Sequence, residues 1–194
     1  TGASAASIPG VAVDGKRVLS YWEAILQTER PQSVVIIGAG AIGVEFATIW
    51  SAYGTEVTIV EMLPRILPLE DEEVSAELTK AYQKGGIKLL TGTKVQSVSA
   101  DEKGVTIKVS GPEGEQTLNA EQALVAIGFK PNTRDIGLEK VGVALNERGF
   151  IKVDERMATS VPGIWAIGDV TGQLLLAHVA SAQGILCAEA IAGQ

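Results

Sequence analysis

Cysteine and histidine each occur once in the 194 residues, as Cys187 and His178. A single cysteine excludes any disulfide within the chain, and its usage matches a reducing compartment, either bacterial cytoplasm or an organelle matrix. With one histidine and no Cys/His cluster at metal-ligand spacing, no metal site is assigned. No apolar run approaches the roughly 20 residues that a membrane-spanning helix needs, and no signal-peptide pattern is present. Positive charge is short as well: 16 Lys and Arg against 23 Asp and Glu give a net charge of −7. That balance argues against nucleic acid or an anionic membrane surface as the partner. The only methionines are Met62 and Met157, and the first residue is Thr1, so the chain is expected to be a piece of something longer.

What the chain does have is concentrated in Ser33-Val-Val-Ile-Ile-Gly38-Ala39-Gly40-Ala41-Ile42-Gly43-Val44-Glu45. Four successive apolar residues, Val34 to Ile37, read as a fully buried parallel strand. The glycines read as a tight turn, and Ile42, Phe46, Ile49 and Tyr53 recur at helical spacing up to a glycine stop at Gly54. A second apolar run, Val57 to Val60, ends on Glu61. Strand, glycine turn, helix and an acidic strand end together describe a dinucleotide pocket. Gly38 permits the sharp turn, Gly40 lets backbone approach a pyrophosphate, and Gly43 lets the helix pack close to the strand. The free first-turn N–H groups of the helix suit phosphate oxygens. Glu61 suits the two hydroxyls of an adenosine ribose and repels a 2′-phosphate, which favours NAD over NADP. A lone glycine motif would be weak. Here both flanks agree with it.

Along the rest of the chain, a short helix is expected near residues 20–29, before Pro31. Another should begin at Glu70-Asp71-Glu72-Glu73, acids that suit the positive end of a helix dipole, with Val74, Leu78, Ala81 and Tyr82 as its apolar face. Ile87 to Leu90 reads as a strand. From Val95 to Leu118 the pattern alternates around two turns, as an antiparallel three-stranded meander does. Ala123 to Ile127 is again a continuous apolar strand. The expected class is therefore α/β: a Rossmann-like, doubly wound parallel sheet in which a meander replaces one crossover helix. Strands are expected at Ile151–Val153 and Ile164–Ile167, and a closing helix from about Val179 to Ala192 has an apolar face that expects a partner. Trp50 and Trp165 read as core residues, and Cys187 as a small buried one. His178, just before the closing helix, reads as structural, and no catalytic residue is assigned. Asp169, directly after a buried strand end, sits where open α/β sheets bind ligands.

Several stretches together resemble the pyridine nucleotide–disulfide oxidoreductases. They are Thr1-Gly2-Ala3 with Ile8-Pro9-Gly10; Gly38 to Glu45; Val60 to Pro68; Val125-Ala-Ile-Gly128-Phe-Lys-Pro131-Asn132-Thr133; Ile164 to Val170; and Leu176-Ala177-His178 leading to Gly184-Ile185. The segment Pro64 to Glu73 and the ending Gly184 to Gly193 tilt the resemblance toward the dihydrolipoamide-oxidising members, away from glutathione reductase. The resemblance implies an NAD(H)-binding domain at residues 31–148, flanked by FAD-domain remnants at 1–30 and 149–194. It implies that Gly38 to Glu45 hold the NAD pyrophosphate, with Glu45 toward the nicotinamide-side ribose. Glu61 would bind the adenosine ribose, Val95 line the adenine pocket, and Gly128 pass the nicotinamide half. Toward FAD it implies Thr1, Gly2, Ala3 and Asp169, with Leu175, Leu176, Ala177 and His178 running past the flavin ring. The parent is implied to be a homodimer serving a lipoyl carrier domain of a 2-oxoacid dehydrogenase or glycine cleavage complex. The family's CxxxxC redox pair, its first FAD-binding glycine motif and its dimerisation domain are not in these residues. The chain alone is therefore expected to bind NAD(H), to hold FAD poorly and not to turn over. The remaining readings are another flavoenzyme of this architecture, such as an NADH oxidase or mercuric reductase, and a non-catalytic NADH-binding module.

Overall fold

A computed structural model describes all residues, 1–194, in two units: Ala5–Gly128, and Thr1–Ser4 with Phe129–Gln194. In chain order the elements begin with β1 (Ala3–Ala5), β2 (Val18–Leu19), α1 (Tyr21–Ile25), β3 (Ser33–Ile37), α2 (Ala41–Ala52), β4 (Glu56–Val60), α3 (Glu72–Lys84) and β5 (Lys88–Leu90). They continue with β6 (Lys94–Asp101), β7 (Gly104–Gly111), β8 (Gly114–Ala120), β9 (Gln122–Val125), β10 (Phe129–Pro131), α4 (Leu138–Val141) and α5 (Ala177–Ile191). A 3-10 turn spans Gly168–Thr171.

The larger unit is built on a parallel sheet of order β2-β9-β3-β4-β5. Its strands are apolar run by run because both faces are covered. Val34, Ile36, Val57, Ile59, Leu19 and Leu124 pack with Val44, Ala47, Trp50 and Tyr82 of the helices. Alternate residues, Val35, Ile37, Val60, Ala123 and Val125, pack on the other side against Val105, Ile107 and Val109 of β7. The antiparallel sheet β6-β7-β8 thus takes the place of a crossover helix. The expected class and meander are what the structure shows. The parallel sheet also recruits β2 from the segment before Pro31.

The helices are where the sequence pattern misleads. In α2 the buried residues are Gly43, Val44, Ala47 and Trp50, while Ile49 and Tyr53 of the expected face are exposed. The helix has to lie close to the sheet, so its smallest residues meet the strands. Phe46 packs at the flank, tilted on Trp50 at 5.1 Å. Gly54, at φ +82°, does end the helix as expected. In α3, Ser75 and Tyr82 are buried and Leu78 is half-buried, but Val74 and Ala81 face solvent. Asp71 caps this helix by accepting from the Glu73 N–H at 2.8 Å. Helix α1 stops at Ile25, well before Glu29, although a Ser20–Glu23 capping box starts it.

Tyr82 ties α3 to α2. Its hydroxyl donates to the Val44 carbonyl at 2.6 Å and lies 2.8 Å from the Thr48 hydroxyl. Burial, opposed by the Thr48 bond and aided by nearby Glu45, raises the phenol above its ordinary value. The folded chain therefore keeps this proton where the unfolded chain releases it, so the stability it contributes is present below pH 10 and lost as pH rises further. Tyr82→Phe is expected to cost about 1–2 kcal/mol at neutral pH by orphaning one bond to Val44. Urea melts of both proteins at neutral pH and above pH 10 check this, and a difference that stays constant with pH would refute the linkage.

In the smaller unit β1 pairs with β10, and Val143, Ile151, Ala166 and Val170 form a small core. The strands expected at 151–153 and 164–167 are absent as strands. Only isolated bridges, Leu145 with Ile151 and Ala158 with Trp165, occur there. Their backbone groups are satisfied one at a time, as in Ile151 N–H to Val170 O and Ala166 N–H to Met157 O. Trp165 is only half-buried, whereas Trp50 is in the core. Helix α5 begins at Ala177, two residues earlier than expected, so His178 lies in its first turn and is exposed. Cys187 is buried and free. No helix is long and apolar enough to cross a membrane.

Candidate functional site

The glycine turn lies where β3 ends and α2 begins, at the carboxyl edge of the parallel sheet. Gly38 has φ +105°, and a Cβ there would come within 2.4 Å of the Ala126 carbonyl oxygen beyond β9. Gly43 has no such dihedral demand, yet its Cβ would sit 2.0 Å from the Gly38 carbonyl oxygen. These two glycines are therefore required by the chain itself. Gly40 is different. It caps α2 with ordinary extended dihedrals (φ −74°, ψ −175°), and a Cβ would meet nothing within 4 Å. No side chain caps the amides of α2, in contrast to α1 and α3. Backbone N–H groups that no side chain caps, beside the open space at Gly40, form a cradle of the kind that takes phosphate.

Glu61 follows β4 and is buried, with 8% of its surface exposed. One carboxylate oxygen accepts from the Ala39 N–H at 2.7 Å, and the other from the Leu63 N–H at 2.8 Å. A carboxylate accepts about four hydrogen bonds, so each oxygen keeps capacity for a hydroxyl. The Ala39 carbonyl in turn accepts from the Leu67 N–H at 2.8 Å. Leu67 adopts φ +45°, and its loop is held by Arg65, which donates to Glu72 and to the Pro68 and Glu70 carbonyls.

The structure brings Gly38 to Glu45 and Glu61 together. Glu45 is the fifth residue of α2, one turn in from its N-terminus, and is exposed. Val95 lies on β6, half-buried against the meander core and paired with Val109. Gly128 follows β9 at φ +104°, exposed, its carbonyl accepting from Ala6.

In the smaller unit, Thr1, Gly2 and Ala3 run into β1, and the Thr1 and Gly2 carbonyls accept from Asn132. Asp169 lies in the 3-10 turn, half-buried, and its carboxylate has no partner within the chain. The Gly168 N–H before it donates to Gln183 of α5 at 2.7 Å. Gln183 is buried and passes its own amide hydrogen to Gln173 at 2.9 Å. Leu175 and Leu176 lead into α5 and Ala177 and His178 open it; its N-terminus also lacks a side-chain cap. Sequence reasoning missed the backbone donors of Ala39, Leu63 and Leu67, which leave no trace in residue type. It also missed Gln183, a polar residue on the buried face of α5, where the neighbouring polar residues Ser181 and Glu189 are exposed.

The parallel sheet, the edge glycine turn and the acidic end of β4 define a Rossmann-like doubly wound α/β protein. Residues 1–184 match the pyridine nucleotide-disulphide oxidoreductase family, and the chain belongs to it. Dihydrolipoyl dehydrogenase of Mycobacterium leprae is 52% identical over 193 residues, covering 100% of this chain and 41% of that protein. The enzyme of the same name from Zymomonas mobilis is 47% identical, with the same two coverages. Among solved structures, LpdA from Mycobacterium tuberculosis superposes with a TM-score of 0.91 at 32% identity, over 100% of this chain and 42% of that one. The Cu(II) complex of the flavoprotein disulfide reductase RclA from Escherichia coli gives 0.86 at 29% identity, over 100% and 44%. The chain spans about two fifths of the length of these relatives.

Proposed function

We propose that this chain is the NAD(H)-binding part of an FAD-dependent dihydrolipoamide dehydrogenase. The observation that carries the reading is the pairing of a backbone cradle at Gly40, which no side chain caps, with the oriented Glu61 carboxylate. The cradle's amides and the α2 dipole bind the pyrophosphate. Glu61 accepts from the adenosine ribose hydroxyls and repels a 2′-phosphate. Glu45 faces the second ribose, Val95 borders the adenine, and Gly128 passes the nicotinamide. We assign residues 31–148 to the NAD(H) domain, and 1–30 with 149–194 to parts of an FAD domain. The unpartnered Asp169 carboxylate fits a ribityl or ribose hydroxyl of FAD, with Thr1 to Ala3 and Leu175 to His178 beside that cofactor.

In the whole enzyme, bound FAD and NAD supply hydride transfer between flavin N5 and nicotinamide C4, downstream of a dithiol and a disulfide. The protein residues named here hold and orient the two cofactors. The parent is a homodimer, cytoplasmic or in an organelle matrix, serving a lipoyl carrier domain. The 194-residue chain binds NAD(H) without catalysing the full reaction.

Titration of the purified chain with NADH and with NADPH, read by NADH fluorescence, tests this. Saturable NADH binding, with NADPH weaker by about tenfold or more from the like-charge contact, is expected. Glu61→Ala should reduce NADH binding. Equal affinity for the two cofactors, or none for either, would overturn the assignment.

A further inference from the structure

Glu61 is already committed before any ligand arrives. Its carboxylate, buried at 8% exposure, accepts backbone N–H groups from the glycine turn (Ala39) and from its own loop (Leu63). Ala39 is fully buried and bonded on both sides, donating to Glu61 and accepting from Leu67. The peptide between Ala39 and Gly40 is planar and trans. Fixing the Ala39 carbonyl on Leu67 therefore turns the Gly40 N–H away from that loop. The turn is thus held at three points: Gly38 N–H on the Val60 carbonyl at 2.8 Å, Ala39 N–H on Glu61, and Ala39 carbonyl on Leu67. Only one of these three uses a side chain.

We infer that Glu61 is a positioning residue for the pyrophosphate cradle as well as the ribose acceptor. Acting through Ala39, it sets the orientation in which Gly40 and the first amides of α2 meet a phosphate. This rests on the dinucleotide reading above and adds a second, separable role to that site. Both carboxylate oxygens face N–H donors. A glutamine amide would set its own N–H₂ against one of them, and a short charge-assisted bond would be lost. Glu61→Ala alone cannot separate the two roles, since it removes the ribose acceptor and the turn's anchor together.

The separating probe is an NADH analogue carrying 2′,3′-dideoxyadenosine, which has a pyrophosphate but no hydroxyls for Glu61 to bind. The intact 194-residue chain and its Glu61→Gln variant are titrated with NADH and with this analogue. If Glu61 also positions the cradle, Glu61→Gln weakens the analogue by about tenfold, the scale of one lost charge-assisted bond. If Glu61 serves the ribose alone, the two proteins bind the analogue equally and the positioning role is overturned. Failure of the wild-type chain to bind either dinucleotide instead overturns the underlying reading.

Two readouts guard against a variant that merely unfolds. Melting by circular dichroism shows whether Glu61→Gln retains the fold. The wild-type Ala39 amide, followed by NMR without ligand, is expected to be downfield-shifted and slow to exchange. An Ala39 amide that exchanges like a solvent-exposed one removes the proposed anchor and overturns the role.

Discussion

Gly43→Ala is expected to destabilise the chain by about 3 kcal/mol or more, the scale of overpacking against a surface that cannot yield. In an ordinary helix interior the same change stabilises by about 1 kcal/mol, because alanine is the better helix former. Here the sign reverses because the new methyl would stand 2.0 Å from the Gly38 carbonyl oxygen and 3.4 Å from an Ile36 methyl. The obstacle is backbone, held in turn by the close approach of Gly38 to Ala126, so no rotamer change relieves it. The helix must lift from β3 or the turn must open, and either distorts the backbone cradle at Gly40. Urea unfolding checks the effect, and a midpoint equal to that of the parent chain would refute it.

Gly40→Ser should do the opposite to stability and the same to binding. Gly40 has dihedrals that any residue adopts, and a Cβ meets nothing in the free chain. Serine is among the preferred N-cap residues and glycine ranks below it, so α2 gains a few tenths of a kcal/mol. The added hydroxyl then accepts the amides that a pyrophosphate would use, and the side chain occupies the space through which it approaches. NADH affinity should fall by about 100-fold, the scale of losing two charge-assisted hydrogen bonds, while the melting temperature stays level or rises. Fluorescence titration and a thermal melt on one preparation decide it. Retained NADH binding would show that the open space at Gly40 has another purpose. The two glycines thus separate what the fold needs from what the ligand needs.

How far the sequence could be read depends on what kind of partner each residue has. The strands of the parallel sheet were legible because burial on both faces leaves runs such as Val34 to Ile37 almost no alternative. The meander was legible from alternation broken at two turns. Helix faces were less so: in α2 the contact with the sheet is made by Gly43 and Ala47, which a search for large apolar residues passes over. In α3 the expected Tyr82 is buried, but the other buried position is Ser75, whose hydroxyl donates to the Ile66 carbonyl at 2.6 Å. The apolar residues around Ile151 and Ile164 were mistaken for strands because a small irregular core selects the same residue types. At the site, the glycines and Glu61 were visible as residue types. The bonds that orient them were not, since the donors are peptide groups that every residue carries.

The meander has a consequence for when, rather than where, the cradle forms. Strand β9 sits between β2 and β3, and Val34 pairs with Gln122. Ala126, just past that strand, is the wall against which Gly38 turns. During synthesis the glycine motif therefore emerges long before its wall. The two helices and the hairpins between them form from neighbouring residues, whereas the β3–β9 pairing waits on closure of a long loop. A nascent chain that has not yet released residue 126 carries the whole glycine motif and lacks half of the turn that motif encodes.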